Sequence, residues 1–180
     1  MKSLLAVSVV FILSLVSGYF FAFKMEEMAQ GFVNQTFQQF EFVGDLEHYE
    51  LFAFIFANNS LKAFASMILG IGFGIVPLLF VVLNGVIIGI VVAVVGSKIG
   101  MLPTLALLIP HGILEIPAIL ISTSYGLDLG IASFRRVRGE DVDLNDTLIK
   151  NLKKFAKVPL PMLFMAALIE TYITPVLAGL

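Results

Sequence analysis

Residues 60–97 read SLKAFASMILGIGFGIVPLLFVVLNGVIIGIVVAVVGS, and the length of this run decides the fold. A bilayer hydrocarbon core of about 30 Å takes roughly 20 helical residues. As one helix, these 38 residues would extend roughly 57 Å at 1.5 Å per residue. The run must therefore fold back on itself. Pro77 lacks a backbone donor and follows Gly70, Gly72 and Gly74, so the turn between a span over about 60–76 and another over about 79–97 is expected there.

Working outward, the whole chain is suited to lipid. Of its 180 residues 59% are apolar and 13% charged, against roughly 45–50% and 25% in soluble domains. The reading is an all-α membrane protein, a single polytopic domain over 1–180. Ser3 to Ala22 supplies an uncharged span. A signal peptide is the alternative for this run, but it is longer than the usual apolar core of one and lacks a small-x-small cleavage site. A fourth span over about 102–133 carries Pro103, Pro110 and Pro117, so it is expected to be kinked or broken. A fifth spans about 158–177.

The formal net charge of −2 gives no general attraction to nucleic acid, and that class is set aside. Without cysteine there is no disulfide framework, thiol nucleophile or iron–sulfur site. No Walker loop, GxSxG elbow or dinucleotide fingerprint occurs.

Orientation follows from Lys and Arg in the connections. With the N-terminus cytoplasmic, the inside holds Lys2, Arg135, Arg136, Arg138, Lys150, Lys153, Lys154 and Lys157. The outside then holds Lys24, Lys62 and Lys98. The expectation is a multi-pass protein of the cell membrane, N-terminus in and C-terminus out.

Two segments are not spans. In the outer segment 23–59, Met25, Met28, Ala29, Phe32, Val33, Phe37 and Phe40 recur at helical spacing. They form an amphipathic helix, expected on the outer leaflet or packed over the bundle. A second short helix, Tyr49 to Ala57, should lead into Asn58-Asn59. The inner segment 134–157 places acids first and lysines last, the order a helix dipole favours. It would lie at the cytoplasmic interface on anionic lipid or dock a membrane or cytoplasmic partner protein. Sequons occur at Asn34-Gln35-Thr36 and Asn58-Asn59-Ser60, both on the expected outer side.

Polar residues inside apolar spans carry the chemistry, because an ionised side chain at mid-membrane costs about 2.5–3.5 kcal/mol even on insertion scales. These are Asn84, His111, Glu115 and Glu170, with Asp128 nearer the inner end. His111 and Glu115 stand at i and i+4 and share a helix face. Glu170 falls at a similar depth on the last span, so His111, Glu115 and Glu170 are expected to form one cluster. Three uses are open: a divalent metal site held by His111, Glu115 and Glu170, a structural hydrogen-bonded network with Asn84 or Tyr172, or a proton or ion relay.

Small residues recur four apart at Gly70 and Gly74, Gly85 and Gly89, Gly96 and Gly100, then Ala118, Ser122, Gly126 and Gly130. Such faces let helices approach closely. They would pack within the chain or support a homodimer, and a homodimer through Gly85, Gly89 or Gly126 is expected.

Four stretches together resemble one family. They are Phe56-Ala-Asn58-Asn59-x3-Ala63, Leu83-Asn84-Gly85-x3-Gly89, Leu108-Ile-Pro110-His111-Gly112-Ile-Leu-Glu115-x2-Ala118 and Ala167-Leu-Ile-Glu170. The resemblance is to the stage II sporulation protein M family, over most of the chain from Asn58 onward plus the first span. It implies a polytopic membrane protein, similar to a scaffold that works with a membrane partner and a peptidoglycan hydrolase during engulfment. The family's polar positions map onto Asn58, Asn59, Asn84, His111, Glu115 and Glu170, with Pro110 and Gly112 completing the motif.

The leading expectation is a non-enzymatic scaffold or membrane component of a larger assembly. The alternative is a small transporter or permease-like subunit that binds an ion or substrate at the His/Glu cluster. A metal-dependent intramembrane hydrolase stands third.

Overall fold

The fold-back in the long apolar run falls earlier than Pro77. In the computed structural model, which describes residues 2–178 apart from the side chains of His111, Leu177 and Ala178, helix α3 (His48–Ile68) passes into a 3₁₀ turn at Leu69–Ile71. The chain reverses through Phe73 and Gly74, at φ of 57° and 76°, and α4 (Ile75–Ile99) begins. Glycine adopts that left-handed conformation at little cost, whereas Phe73 is strained by it. Pro77 lies in the first turn of α4, where an amide has no helical acceptor to lose.

The other helices are α1 (Lys2–Lys24), α2 (Glu26–Gln39), α5 (Met101–Val137), α6 (Leu144–Lys157), α7 (Pro159–Leu168) and α8 (Thr174–Ala178). A 3₁₀ turn at Glu41–Asp45 joins α2 to α3, and a π-helical turn at Ile169–Ile173 joins α7 to α8. Among the described residues there is no strand, and five helical stretches are long and apolar enough to cross a membrane. One end of the bundle carries α2 and the starts of α3 and α5. The opposite end carries α6, the starts of α1 and α4, and the α3–α4 turn.

The second span starts at His48 rather than near residue 60. The Glu47 amide donates to Glu50 Oε2 at 3.0 Å, a reach-back that satisfies one end group of the new helix. No breaker follows, so the short helix expected over Tyr49–Ala57 is continuous with the span. Asn58, Asn59 and Ser60 therefore sit inside α3, and their sequon lies on a helix rather than on an outer loop. Lys62 moves as well. It lies within two turns of the C-terminal end of α3, so the division of Lys and Arg between the ends becomes nine against two.

Helix α5 stays helical across Pro110 and Pro117 for 37 residues, which at 1.5 Å each is roughly 55 Å, longer than the hydrocarbon core. It ends in a Schellman motif: the Gly139 amide donates to Arg136 O at 3.0 Å and the Glu140 amide to Arg135 O at 3.1 Å. Gly139, at φ 85°, permits that left-handed stop. Arg135 Nε also donates to Glu140 Oε2 at 2.6 Å.

The chain then enters α6, capped by Asp143, whose Oδ1 accepts from the Asp146 amide at 3.0 Å. The apolar side of α6 is packed under the bundle. Asn151 and Phe155 are buried, Asn151 Nδ2 donates to Tyr125 O at 2.9 Å, and the Phe155 ring meets Phe64 edge-on at 5.5 Å. That leaves the lysine-rich side facing outward. At the other end α2 packs over the bundle, setting Ala29 and Val33 against Ala22, Ile90, Ala93 and Val94. Met25, Met28 and Phe37 of this segment remain exposed.

The small-residue faces are spent inside the chain. A Cβ on Gly89 would stand 2.1 Å from Leu15 O, and one on Gly18 2.2 Å from Val86 O, so α1 and α4 touch backbone to backbone. Likewise a Cβ on Gly70 would fall 2.1 Å from Gly126 O and one on Gly130 2.2 Å from the Gly74 nitrogen. Gly85, Gly89 and Gly126, singled out as a dimer face, each approach groups of their own chain, the close helix contact that small residues permit in lipid.

Candidate functional site: an intramembrane cavity

Four helices and the π turn leave a cavity of about 630 Å³ in the half of the bundle nearer α2. α3 contributes Asn58 and Asn59, α4 contributes Asn84, α5 contributes Gly112 and Glu115, and the π turn contributes Glu170. Phe11 of α1 closes one side, and Phe40 and Val43, from the segment between α2 and α3, bound the other. The remaining wall is apolar, with Phe54, Ile55, Ile87, Ile88, Leu108, Ile116 and Ile119 among its residues.

Local structure explains how these side chains reach one space. Asn84 follows Phe80 by one turn and donates its amide to Phe80 O at 2.7 Å. Its neighbour Gly85 faces α1, so adjacent residues of α4 serve a sealed seam and an open chamber. Asn58 Nδ2 donates to Asn59 Oδ1 at 3.2 Å, which pairs two amides that would otherwise compete with the helix backbone.

The π turn widens α7 by one residue and resets the register beyond it, a feature common at functional sites. Glu170 lies on that turn. Thr174 Oγ1 bonds back to Ile169 O at 3.3 Å, and the Tyr172 ring stacks on His48 at 5.8 Å, fixing the turn against the start of α3. Thr171 is buried with no hydrogen-bond partner for its hydroxyl, a cost tolerated in this turn.

Chemically, the described lining offers two carboxyl groups and three amides, and no Lys or Arg. A space of 300–1,000 Å³ with a mostly apolar wall and a few convergent polar groups is the usual form of a small-molecule site. It is also far larger than an ion needs.

Of the residues singled out in the sequence, Asn58, Asn59, Asn84, Gly112, Glu115 and Glu170 line this cavity together. His111 has a side chain outside the described residues, so the expected three-way cluster and metal set with His111 lie partly outside the description. Among the described residues no three His, Asp or Glu side chains form a group that could hold a metal ion. Pro110 is absent from the lining, and Asp128 is elsewhere, accepting a hydrogen bond from Ser3 Oγ that ties α1 to α5.

Sequence reasoning missed the apolar wall, although its signal was present. Ile87 and Ile88 stand three and four residues after Asn84, and Leu108, Gly112, Glu115, Ile116 and Ile119 follow one face of α5. It also missed Phe40 and Val43, which reach the cavity through tertiary folding alone.

The sequence profile of the family described as stage II sporulation protein M matches residues 7–175. An uncharacterized protein of Methanocaldococcus jannaschii is 31% identical over 124 residues, covering 67% of this chain and 70% of its own length. No solved structure matches the chain.

Proposed function

The chain belongs to the stage II sporulation protein M family, and from that premise we propose that it is a non-enzymatic membrane component that binds a small molecule within the bilayer, in the manner of a permease-like subunit. One observation supports this most: five polar side chains from α3, α4, α5 and the π turn border one cavity of about 630 Å³. A scaffold needs only packed polar groups. Open space beside half-buried polar groups within the spans calls for an occupant.

A scaffold role rests on a separate observation. The outward side of α6 presents exposed Lys150, Lys153, Lys154 and Lys157, a surface suited to an acidic partner or anionic lipid.

In this reading the N-terminus is cytoplasmic, because nine Lys and Arg lie toward the α6 end and two toward the α2 end. Cysteines at Thr36 and Asp146 then label from opposite sides of intact cells, and labelling from one side overturns the topology. For binding, native mass spectrometry of the purified chain should detect retained small molecules. Gly112→Leu should remove them by filling the cavity, since among the described residues a Cβ at Gly112 meets only Ile116 Cδ1, at 3.6 Å. Identical adducts in the two proteins would refute the binding role.

A further inference from the structure

We propose that the cavity takes a neutral amphiphile with a polyhydroxylated head: an alkyl or ring body against the apolar wall, and two or more hydroxyls among the amides. The inference rests on the binding reading above and adds the chemical class of the ligand.

The described polar lining is balanced between donors and acceptors. Asn84 and Asn58 each have one amide N–H engaged, with Phe80 O and Asn59 Oδ1. That leaves one N–H on Asn84, one on Asn58 and both on Asn59. Against these stand the Oδ1 atoms of Asn58 and Asn84 and the carboxyl of Glu170, which accept no hydrogen bond among the described residues. Neither these oxygens nor Asn59 Nδ2 are sealed within the protein, so they stay open to a small molecule. Glu115 already has a partner and does not enter the balance. Each amide carries a donor and an acceptor side, so the balance holds whichever way the three are turned.

A charged head matches only half of this lining. An ammonium group donates and cannot accept, so it would cover the free N–H groups without pairing them. A carboxylate or phosphate would meet Glu170 with no Lys or Arg in the described lining. The approach repels an anion further: between Lys24 and Lys62 the chain holds Glu26, Glu27, Glu41, Asp45, Glu47 and Glu50 and no Lys or Arg. A hydroxyl both donates and accepts. One alone cannot serve amides on α3 and α4 and a carboxyl on the π turn, whereas several on one head can. A neutral head also enters a site within the spans at lower cost than a charged one. The apolar wall in turn selects a body that already partitions into lipid.

The test uses the full chain in lauryldimethylamine oxide, a detergent without hydroxyls, and reads binding by native mass spectrometry. The probes share a dodecyl or dodecanoyl chain: monododecanoylglycerol, its hydroxyl-free counterpart propyl dodecanoate, dodecylamine and dodecanoic acid. The glyceride should bind at one per chain and at least about tenfold more tightly than propyl dodecanoate, the scale of two neutral hydrogen bonds. It should also bind more tightly than either charged probe. Asn84→Leu, which removes a donor and an acceptor at similar volume, should cut the preference for glyceride over ester at least about threefold. Glu170→Gln, which removes the charge and keeps an acceptor, should leave that preference within about twofold.

Equal binding of glyceride and propyl dodecanoate that Gly112→Leu abolishes would overturn the hydroxyl proposal and leave the cavity reading intact. Binding of no probe, or binding that Gly112→Leu leaves unaltered, would overturn both. Dodecylamine or dodecanoic acid binding as tightly as the glyceride would overturn the proposal directly, as would a preference that survives Asn84→Leu or is lost with Glu170→Gln.

Discussion

The seam between α1 and α4 and the cavity beside it are built on neighbouring residues of the same helix, yet they solve opposite problems. At the seam, Gly18, Gly85 and Gly89 remove side chains so that two backbones meet, and a single added carbon at Gly89 would stand 2.1 Å from a carbonyl oxygen. At the cavity, Asn84 and Gly112 border space, and among the described residues a carbon added to Gly112 meets only the tip of Ile116 at 3.6 Å. Lipid offers no hydrophobic drive for helices to associate, so the seam gains its stability from close packing. The lesson is that a glycine repeated in a membrane helix can close a contact or leave a chamber open, and spacing alone does not say which.

The comparison breaks most readily at Gly89. Leucine there has to displace the α1 backbone rather than a flexible side chain, so Gly89→Leu is expected to cost at least about 3 kcal/mol, at or beyond the upper end of ordinary overpacking. Thermal unfolding in detergent would read this as loss of the folded monomer. A variant as stable as the parent would mean that α1 and α4 do not touch.

A smaller effect is expected at Asn151, which holds α6 under the bundle through its bond to Tyr125 O. Asn151→Leu removes that side-chain bond while Tyr125 O keeps its acceptor place inside α5, and should cost about 0.5–1.5 kcal/mol. Faster proteolysis in the connection between α5 and α6 would report the same loss, and unaltered cleavage would show that α6 is held by its apolar contacts alone.

The smallest effect has the opposite sign. Gly112→Ala replaces a mid-helix glycine where the new carbon makes an ordinary contact, so it should stabilise the protein by about 0.5–1 kcal/mol. Destabilisation would mean that the space beside Gly112 is smaller than 630 Å³ implies.

Much of this architecture was legible in the sequence, because lipid imposes simple rules. The length of residues 60–97 forces a fold-back, and the cost of placing Asn84, Glu115 and Glu170 within apolar spans draws attention to residues that do border one cavity. Boundaries were harder to read. Pro77 is a poor mark of the turn because proline is accommodated in a first helical turn, while Gly70 to Gly74 make the reversal. Asn58 and Asn59 look like loop residues, but they pair with each other inside α3. The roof at Phe40 and Val43 was illegible, since it depends on how α2 docks on α4, which no local pattern encodes. Gly85 and Gly89 gave a sound signal of close approach and no information about the partner helix, and that partner is α1 of the same chain.

The central claim is that the bundle is sealed along α1 and α4 and open at the cavity. The chain has no cysteine, so single cysteines test this without background. Ile116 borders the cavity, and Val81 is fully buried against Val7 and Phe11. A small methanethiosulfonate reagent should modify Ile116→Cys from the α2 side, with Val81→Cys protected and Gly112→Leu blocking the reaction at position 116. Equal protection of both cysteines, or reaction at 116 that Gly112→Leu leaves unaltered, would contradict the account.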